Sequence, residues 1–355
     1  MKKHIASILF LFLLSTFQLI AQSHSVKRLG IEQGLSNNYV VSITQDKQGF
    51  LWFATEEGLN KFDGTRFTTY YKNDLTQDNQ GITGNELNRV YADTKHPIIW
   101  IATQRDGLNA YNYNEQTFTA YQHNPENPHS LITNDVTDIA PSTQHDDGLW
   151  ISTYYRGIEY LDITSGQFTH YNKSTVPSLP CDQTWTVLDG GDGNLYIGHV
   201  GSGFSIFSPK DKSVKNFRNE AGNPMSLPGN DVFCIIKDAN GNIWLGTNNG
   251  LALYDAANEN FITFKNNKND KYATLCSRIL SIRQLKDNRL WIASELNGIA
   301  ILNLKQSMFL SPEEISLEYI QEGADNRSLS NASARCIFQD SFDNIWIGTW
   351  GGEIG

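Results

Sequence analysis

Basic residues are in short supply. Against 38 Asp and Glu there are 28 Lys and Arg, a net charge of −10, so no basic face is available to replace the counterions of a phosphate backbone. No nucleic-acid contact is expected. Cysteine is scarce as well: Cys181, Cys234, Cys276 and Cys336 are the whole set. Cys234 and Cys336 each stand four residues before an aspartate, Asp238 and Asp340, in equivalent places of a repeat. Equivalent strands two repeats apart are too distant to bridge, and Cys181 and Cys276 are also two repeats apart. All four are expected as free thiols acting as small hydrophobes. No Cys/His spacing suggests zinc, and neither metal nor cofactor is expected. Beyond residue 21 no apolar run approaches the ~20 residues a spanning helix needs, and no stretch shows a 3.6-residue period, so helix content should be very low.

Residues 1–21, MKKHIASILFLFLLSTFQLIA, carry two lysines, an apolar run from Ile5 to Leu14 and a more polar approach to Ala21. This is the layout of a secretory signal cleaved after Ala21. The run is short for a membrane anchor, and no cysteine follows it to take a lipid. Residues 22–355 are left as one structural unit.

What the chain has in abundance is glycine, 28 residues, and aromatics, 12%, in a pattern that repeats. The stretch GFLWFATEEGLNKFDGTRFTTYY from Gly49 to Tyr71 returns from Ile98, Gly148, Asn194, Asn242, Arg289 and, shortened, from Asn344. Its anchor aromatics are Trp52, Trp100, Trp150, Tyr196, Trp244, Trp291 and Trp346, spaced 48, 50, 46, 48, 47 and 55 residues apart. Each unit has an apolar β-branched first strand, an Asp-containing turn such as Asp46-Lys47-Gln48-Gly49, the Trp strand, a loop ending in Gly, a third strand and an outer strand of type FTTYY. Each is therefore a four-stranded antiparallel meander.

Such a sheet is marginal alone, and short-strand repeats of this length mark propellers or solenoids. An open solenoid should carry terminal caps. This chain instead begins with a lone outer-strand segment, Val26 to Leu29, and its last unit lacks that strand. The expected fold is all-β, a seven-bladed β-propeller of four-stranded antiparallel blades, the last incomplete at Gly352-Glu353-Ile354-Gly355 and completed in part by the N-terminal segment.

Polar connectors between units also recur: Asn124-Pro125-Glu126-Asn127-Pro128-His129-Ser130-Leu131, Val176-Pro177-Ser178-Leu179, Asn223-Pro224-Met225-Ser226-Leu227 and Asp325-Asn326-Arg327-Ser328-Leu329. With Gly34-Leu35-Ser36-Asn37-Asn38 and the LW(I/L)(A/G)T…GL…(Y/F)D core, residues 26–355 resemble the two-component regulator propeller repeat. That repeat builds the periplasmic sensor region of hybrid two-component histidine kinases of gut Bacteroidetes. The resemblance implies a periplasmic location, with the parent protein anchored in the inner membrane. It implies an oligosaccharide ligand released from complex glycans, and as partners a second propeller, downstream kinase domains and a homodimer formed through the parent. No kinase His box or ATP-binding motif occurs in these 355 residues, so no catalytic residue is assigned.

Positions that repeat in every unit are explained by packing. The loop between second and third strands varies, and in a propeller such loops ring one mouth of the channel. Four residues past each anchor lie Glu56, Gln104, Tyr154, Val200, Asn248, Glu295 and Trp350. The expected ligand contacts are Tyr154, Tyr155, Arg156, Arg105, His199, Glu295 and Trp350, because sugars stack their CH faces on aromatic rings and hydrogen-bond to charged groups. The other readings are a protein-interaction scaffold and, from another class, a propeller lyase with His199 as its base beside Glu56 or Glu295. Trp185 stands outside the repeating tryptophans, on a first strand near the channel, and is read as blade packing.

Overall fold

The computed structural model describes residues 26–73, 81–264, 272–304, 317–325 and 327–354. The expected signal segment lies outside them. In the first blade the inner strand Val40–Gln45 pairs with Leu51–Thr55, which pairs with Gly58–Phe62, which pairs with the outer strand Phe67–Tyr70. All neighbours are antiparallel. The other inner strands are Leu87–Ala92, Val136–Pro141, Thr184–Asp189, Val232–Lys237, Ile279–Gln284 and Ala334–Gln339. They stand side by side in a ring, and Ala334–Gln339 lies against Val40–Gln45 to close it. Two short helical turns, Ile31–Gln33 and Thr274–Cys276, lie whole among the described residues.

One expectation is corrected. Six blades, not seven, have four strands; the seventh position holds a two-stranded sheet of Ala334–Gln339 and Ile345–Thr349. Beyond Thr349 the chain turns through Gly351 and only Ile354 pairs, with Leu29, through backbone bonds of 2.8 and 2.7 Å. Arg28 holds the same N-terminal segment in place by donating to the carbonyls of Gly323, Asp325 and Ser328.

Burial explains the repeat. Seven apolar cores lie between successive sheets, and each contains one anchor aromatic. Trp52, for example, packs with Ile82, Leu87 and Tyr111 of the next blade. In four of the sheets the turn aspartate ties the anchor down. Asp238 accepts from the amides of Asn240 and Asn242 at 2.9 Å and, through its other oxygen, from Trp244 Nε1 at 2.9 Å. Asp46 and Asp340 do the same for Trp52 and Trp346. Because Asp238→Ala leaves buried donors unpaired, it should cost about 2 kcal/mol in urea unfolding; an unchanged midpoint would show the turn to be held by other contacts.

The glycine opening each third strand is structural too. Gly157 has φ +84°, and a Cβ there would lie 2.3 Å from the Tyr171 carbonyl oxygen. The four cysteines are free, as expected.

Candidate functional site: the channel and its rim

The ring of inner strands encloses a cavity of about 890 Å³. Its mouth is built the same way in all the sheets: the amide four residues past each anchor donates to the residue just before an inner strand. Glu56 donates to Tyr39, Gln104 to Glu86, Tyr154 to Asp135, Val200 to Gln183, Asn248 to Asp231, Glu295 to Arg278 and Trp350 to Ser333. The variable loops are thereby held in a circle.

Just inside the mouth, every inner strand carries a β-bulge at its second position. Val40 pairs with Thr55 and Ser42 with Ala54, leaving Val41 unpaired. The same irregularity leaves Asn88, Thr137, Trp185, Phe233, Leu280 and Arg335 out of register. A bulge re-aims the side chain it carries, and all these bulge residues line the channel. The positions one before them are Val40, Leu87, Val136, Thr184, Val232, Ile279 and Ala334, all buried against neighbouring blades. The frame repeats; the bulge residues do not.

Aromatic and charged groups form a continuous arc on this ring. Tyr155 meets Tyr154 edge-on at 4.3 Å, Tyr154 meets Trp185 at 6.1 Å, and Trp185 meets Phe233 at 5.9 Å. The Arg278 guanidinium lies 4.3 Å over Phe233 and 3.4 Å from Glu295. Glu295 is 3.8 Å from Arg335, which lies over Trp350 at 4.5 Å and Tyr39 at 5.0 Å, and those two rings stack at 5.3 Å. On the opposite side Glu56, Glu57, Glu86 and Arg105 line the mouth. Burial, and then the neighbouring Glu86, hold the Glu56 carboxyl above its usual pKa. Burial also raises the Tyr39 phenol, with Arg335 pulling against it. The arc offers flat apolar faces beside hydrogen-bonding charges, the combination that binds a ring with CH faces and hydroxyl edges.

The sequence-derived residues divide. Arg105 lines the channel mouth, Tyr154 joins the arc through Trp185, and Glu295 and Trp350 join it through Arg335. Tyr155 and Arg156 are exposed beside Tyr154 rather than on the channel wall. His199 does not reach the rim. It is fully buried, with Nε2 2.8 Å from Ser205 Oγ and Nδ1 3.5 Å from Cys181 Sγ. It fills the slot that Thr55, Thr103, Thr153 and Thr247 fill elsewhere, where the threonine hydroxyl donates to the carbonyl of the third-strand glycine. A group enclosed there cannot serve as a base on the channel. Trp185, Phe233, Tyr39, Arg278 and Arg335 were not expected in the site, and Trp185 is channel wall rather than blade packing. Comparing the second position of each inner strand would have found Trp185, Phe233 and Arg335.

The two component regulator propeller model matches residues 34–57, 226–249 and 328–351. A segment of 66 residues is 42% identical to "Histidine kinase P4" of Formosa agariphila, 19% of this chain and 5% of that protein. The extracellular domain assigned to a hybrid two-component system of B. thetaiotaomicron is 64% identical, with a TM-score of 0.83 over 93% of this chain and 41% of that one. This chain thus spans less than half the length of either. A streptogramin B lyase is 13% identical, with a TM-score of 0.64 over 92% of this chain and 94% of its own, a likeness of fold alone.

Proposed function

From the premise that this chain carries two-component regulator propeller repeats, we propose that it is the extracellular ligand-sensing propeller of a hybrid two-component system, and that the channel mouth binds an oligosaccharide. The observation that carries the reading is the ring of bulges: equivalent buried frame positions beside it, and an unlike side chain from every sheet at the bulge position just inside the mouth. Trp185 and Phe233 supply stacking faces, and Arg335, Glu295 and Arg105 supply hydrogen bonds, with Tyr154 and Trp350 closing the arc and Tyr155 and Arg156 at its outer end. Binding would act by favouring one packing of the propeller against its neighbouring domains over another, since a ligand shifts an equilibrium only through differential affinity. Those neighbours, in this reading, are a second propeller and a membrane-linked kinase in a dimeric parent, with the sensor in the periplasm. No catalytic step is assigned to the propeller.

Calorimetry of the wild type against a panel of oligosaccharides tests the site. Trp185→Ala and Arg335→Ala should each weaken the panel member that binds by about tenfold, the equivalent of about 1.4 kcal/mol, while leaving the unfolding midpoint near the wild type. Unaltered affinity in both variants would sink the assignment.

A second reading has its own support. Tyr155, Leu296 and Trp350 are 54%, 73% and 50% exposed on the loops of this rim, which suits a face covered by another protein domain.

A further inference from the structure

Deeper in the channel the charges do not balance. Arg89, at the third position of its inner strand, has Nε 3.2 Å from Asp138 Oδ1. The second oxygen of Asp138 already accepts from Thr186 Oγ1 at 2.7 Å and from the Val187 amide at 3.3 Å. Arg283, at the fifth position, has no carboxylate within 4 Å and no side-chain hydrogen bond among the described residues; its guanidinium faces only the Phe338 ring, at 5.5 Å. Both arginines line the same cavity. Burial by the surrounding blades, and then the charge of Arg89, hold the Arg283 guanidinium below its ordinary pKa. The charge of Arg89 is also felt on the fifth and seventh sheets. Burial takes the Cys234 and Cys336 thiols up to about 12, and the Arg89 charge pulls against it in both. The other carboxylates of the cavity, Glu56, Glu57 and Glu86, belong to the mouth at the first two blades. Three residues of strand separate the bulge ring from the level of Arg283, about 10 Å at ~3.3 Å per residue.

We propose that the channel holds an oxyanion, a carboxylate or a sulfate group, between Arg89 and Arg283. Both guanidiniums are exposed to the channel, and facing one fully engaged carboxylate they leave N–H donors and one positive charge without a protein partner there; forked guanidinium donors match the planar or tetrahedral oxygens of such a group. Ser281, two residues before Arg283 on the same strand, lines the same space and adds a hydroxyl. The anion can arrive free or as an acidic substituent of a sugar whose ring stays at the mouth. The site stands independently of the rim reading.

The full chain is titrated calorimetrically with sodium sulfate, glucuronic acid and, as the neutral control, glucose, against sodium chloride at matched ionic strength. Sulfate stabilises proteins generally by exclusion from their surface, so the signal is the saturable component. Arg89→Met and Arg283→Met should each weaken that component by about tenfold or more, as expected for loss of a charge-assisted hydrogen bond, and Arg283→Lys should retain part of it. Displacement of sulfate by glucuronic acid identifies a carboxylated sugar as a source; saturable sulfate binding without displacement points to sulfate itself or a sulfate ester. Trp185→Ala should leave sulfate binding intact, so failure of the rim site and failure of the anion site are distinguishable. No saturable sulfate component in the wild type, or the same component in both methionine variants, overturns the proposal.

Discussion

Replacing Trp100 with alanine should destabilise the propeller by about 3–5 kcal/mol, the cost of emptying a buried aromatic site that cannot collapse. The indole is fully buried between the second and third blades, packed with Leu131, Ile139 and Ile151. Its Nε1 donates to Asp93 at 3.2 Å. Both neighbouring sheets are pinned by their own ladders, so neither can move in to fill the void. The same substitution at Trp350, half exposed and stacked only on Tyr39 and Arg335, should change the unfolding free energy by less than about 1 kcal/mol. Urea unfolding monitored by circular dichroism measures both. If Trp350→Ala proved the more costly, the division between repeating frame and variable rim would be wrong.

Stability should also fall below neutral pH because of His199. Burial lowers its pKa from 6.5 to about 4, whereas the unfolded chain keeps the ordinary value. Between those values the unfolded state binds a proton that the folded state does not. The contribution is therefore fully present above about pH 6.5 and is lost as pH falls towards 4. At about 1.36 kcal/mol per pH unit, the loss amounts to about 3 kcal/mol. Glu159 acts with the opposite sign: burial raises its pKa, so its contribution is lost as pH rises. The measurement is accordingly the difference between wild type and His199→Gln, with unfolding free energies compared at pH 7 and pH 4.5. The variant should be destabilised at pH 7, and its deficit should shrink at pH 4.5. A deficit independent of pH would mean that His199 titrates normally in the fold.

Much of the architecture was legible because one packing problem is solved again and again. Trp52, Asp46 and Gly58 do the same work as Trp244, Asp238 and Gly250, and repetition separates them from their variable neighbours. The same comparison marked the last unit as cut short, but read a seventh blade where a two-stranded sheet stands, met by the N-terminal segment only at Leu29 and Ile354. The site was read less well, for a geometric reason. Strict alternation along an inner strand turns the second and fourth residues to one face. In the strand of Trp185 that face is the one buried Val187 presents to its neighbours, which suggests blade packing for the tryptophan. The bulge breaks the alternation and turns Trp185, Phe233 and Arg335 into the channel. Nothing in the residue types marks the extra residue. His199 was misplaced for the opposite reason: it looks like loop chemistry, yet its alignment with Thr55 and Thr247 marks it as frame.

The bulges bear on how such a protein diversifies. Because Val41, Trp185 or Arg335 has no partner of its own in the ladder, exchanging it leaves the register of the sheet intact. Fold and ligand preference are thus encoded at separable positions. A single codon change can alter what the mouth recognises without first requiring a compensating change in the blades, and paralogues built on this frame can diverge in specificity one inward-facing residue at a time.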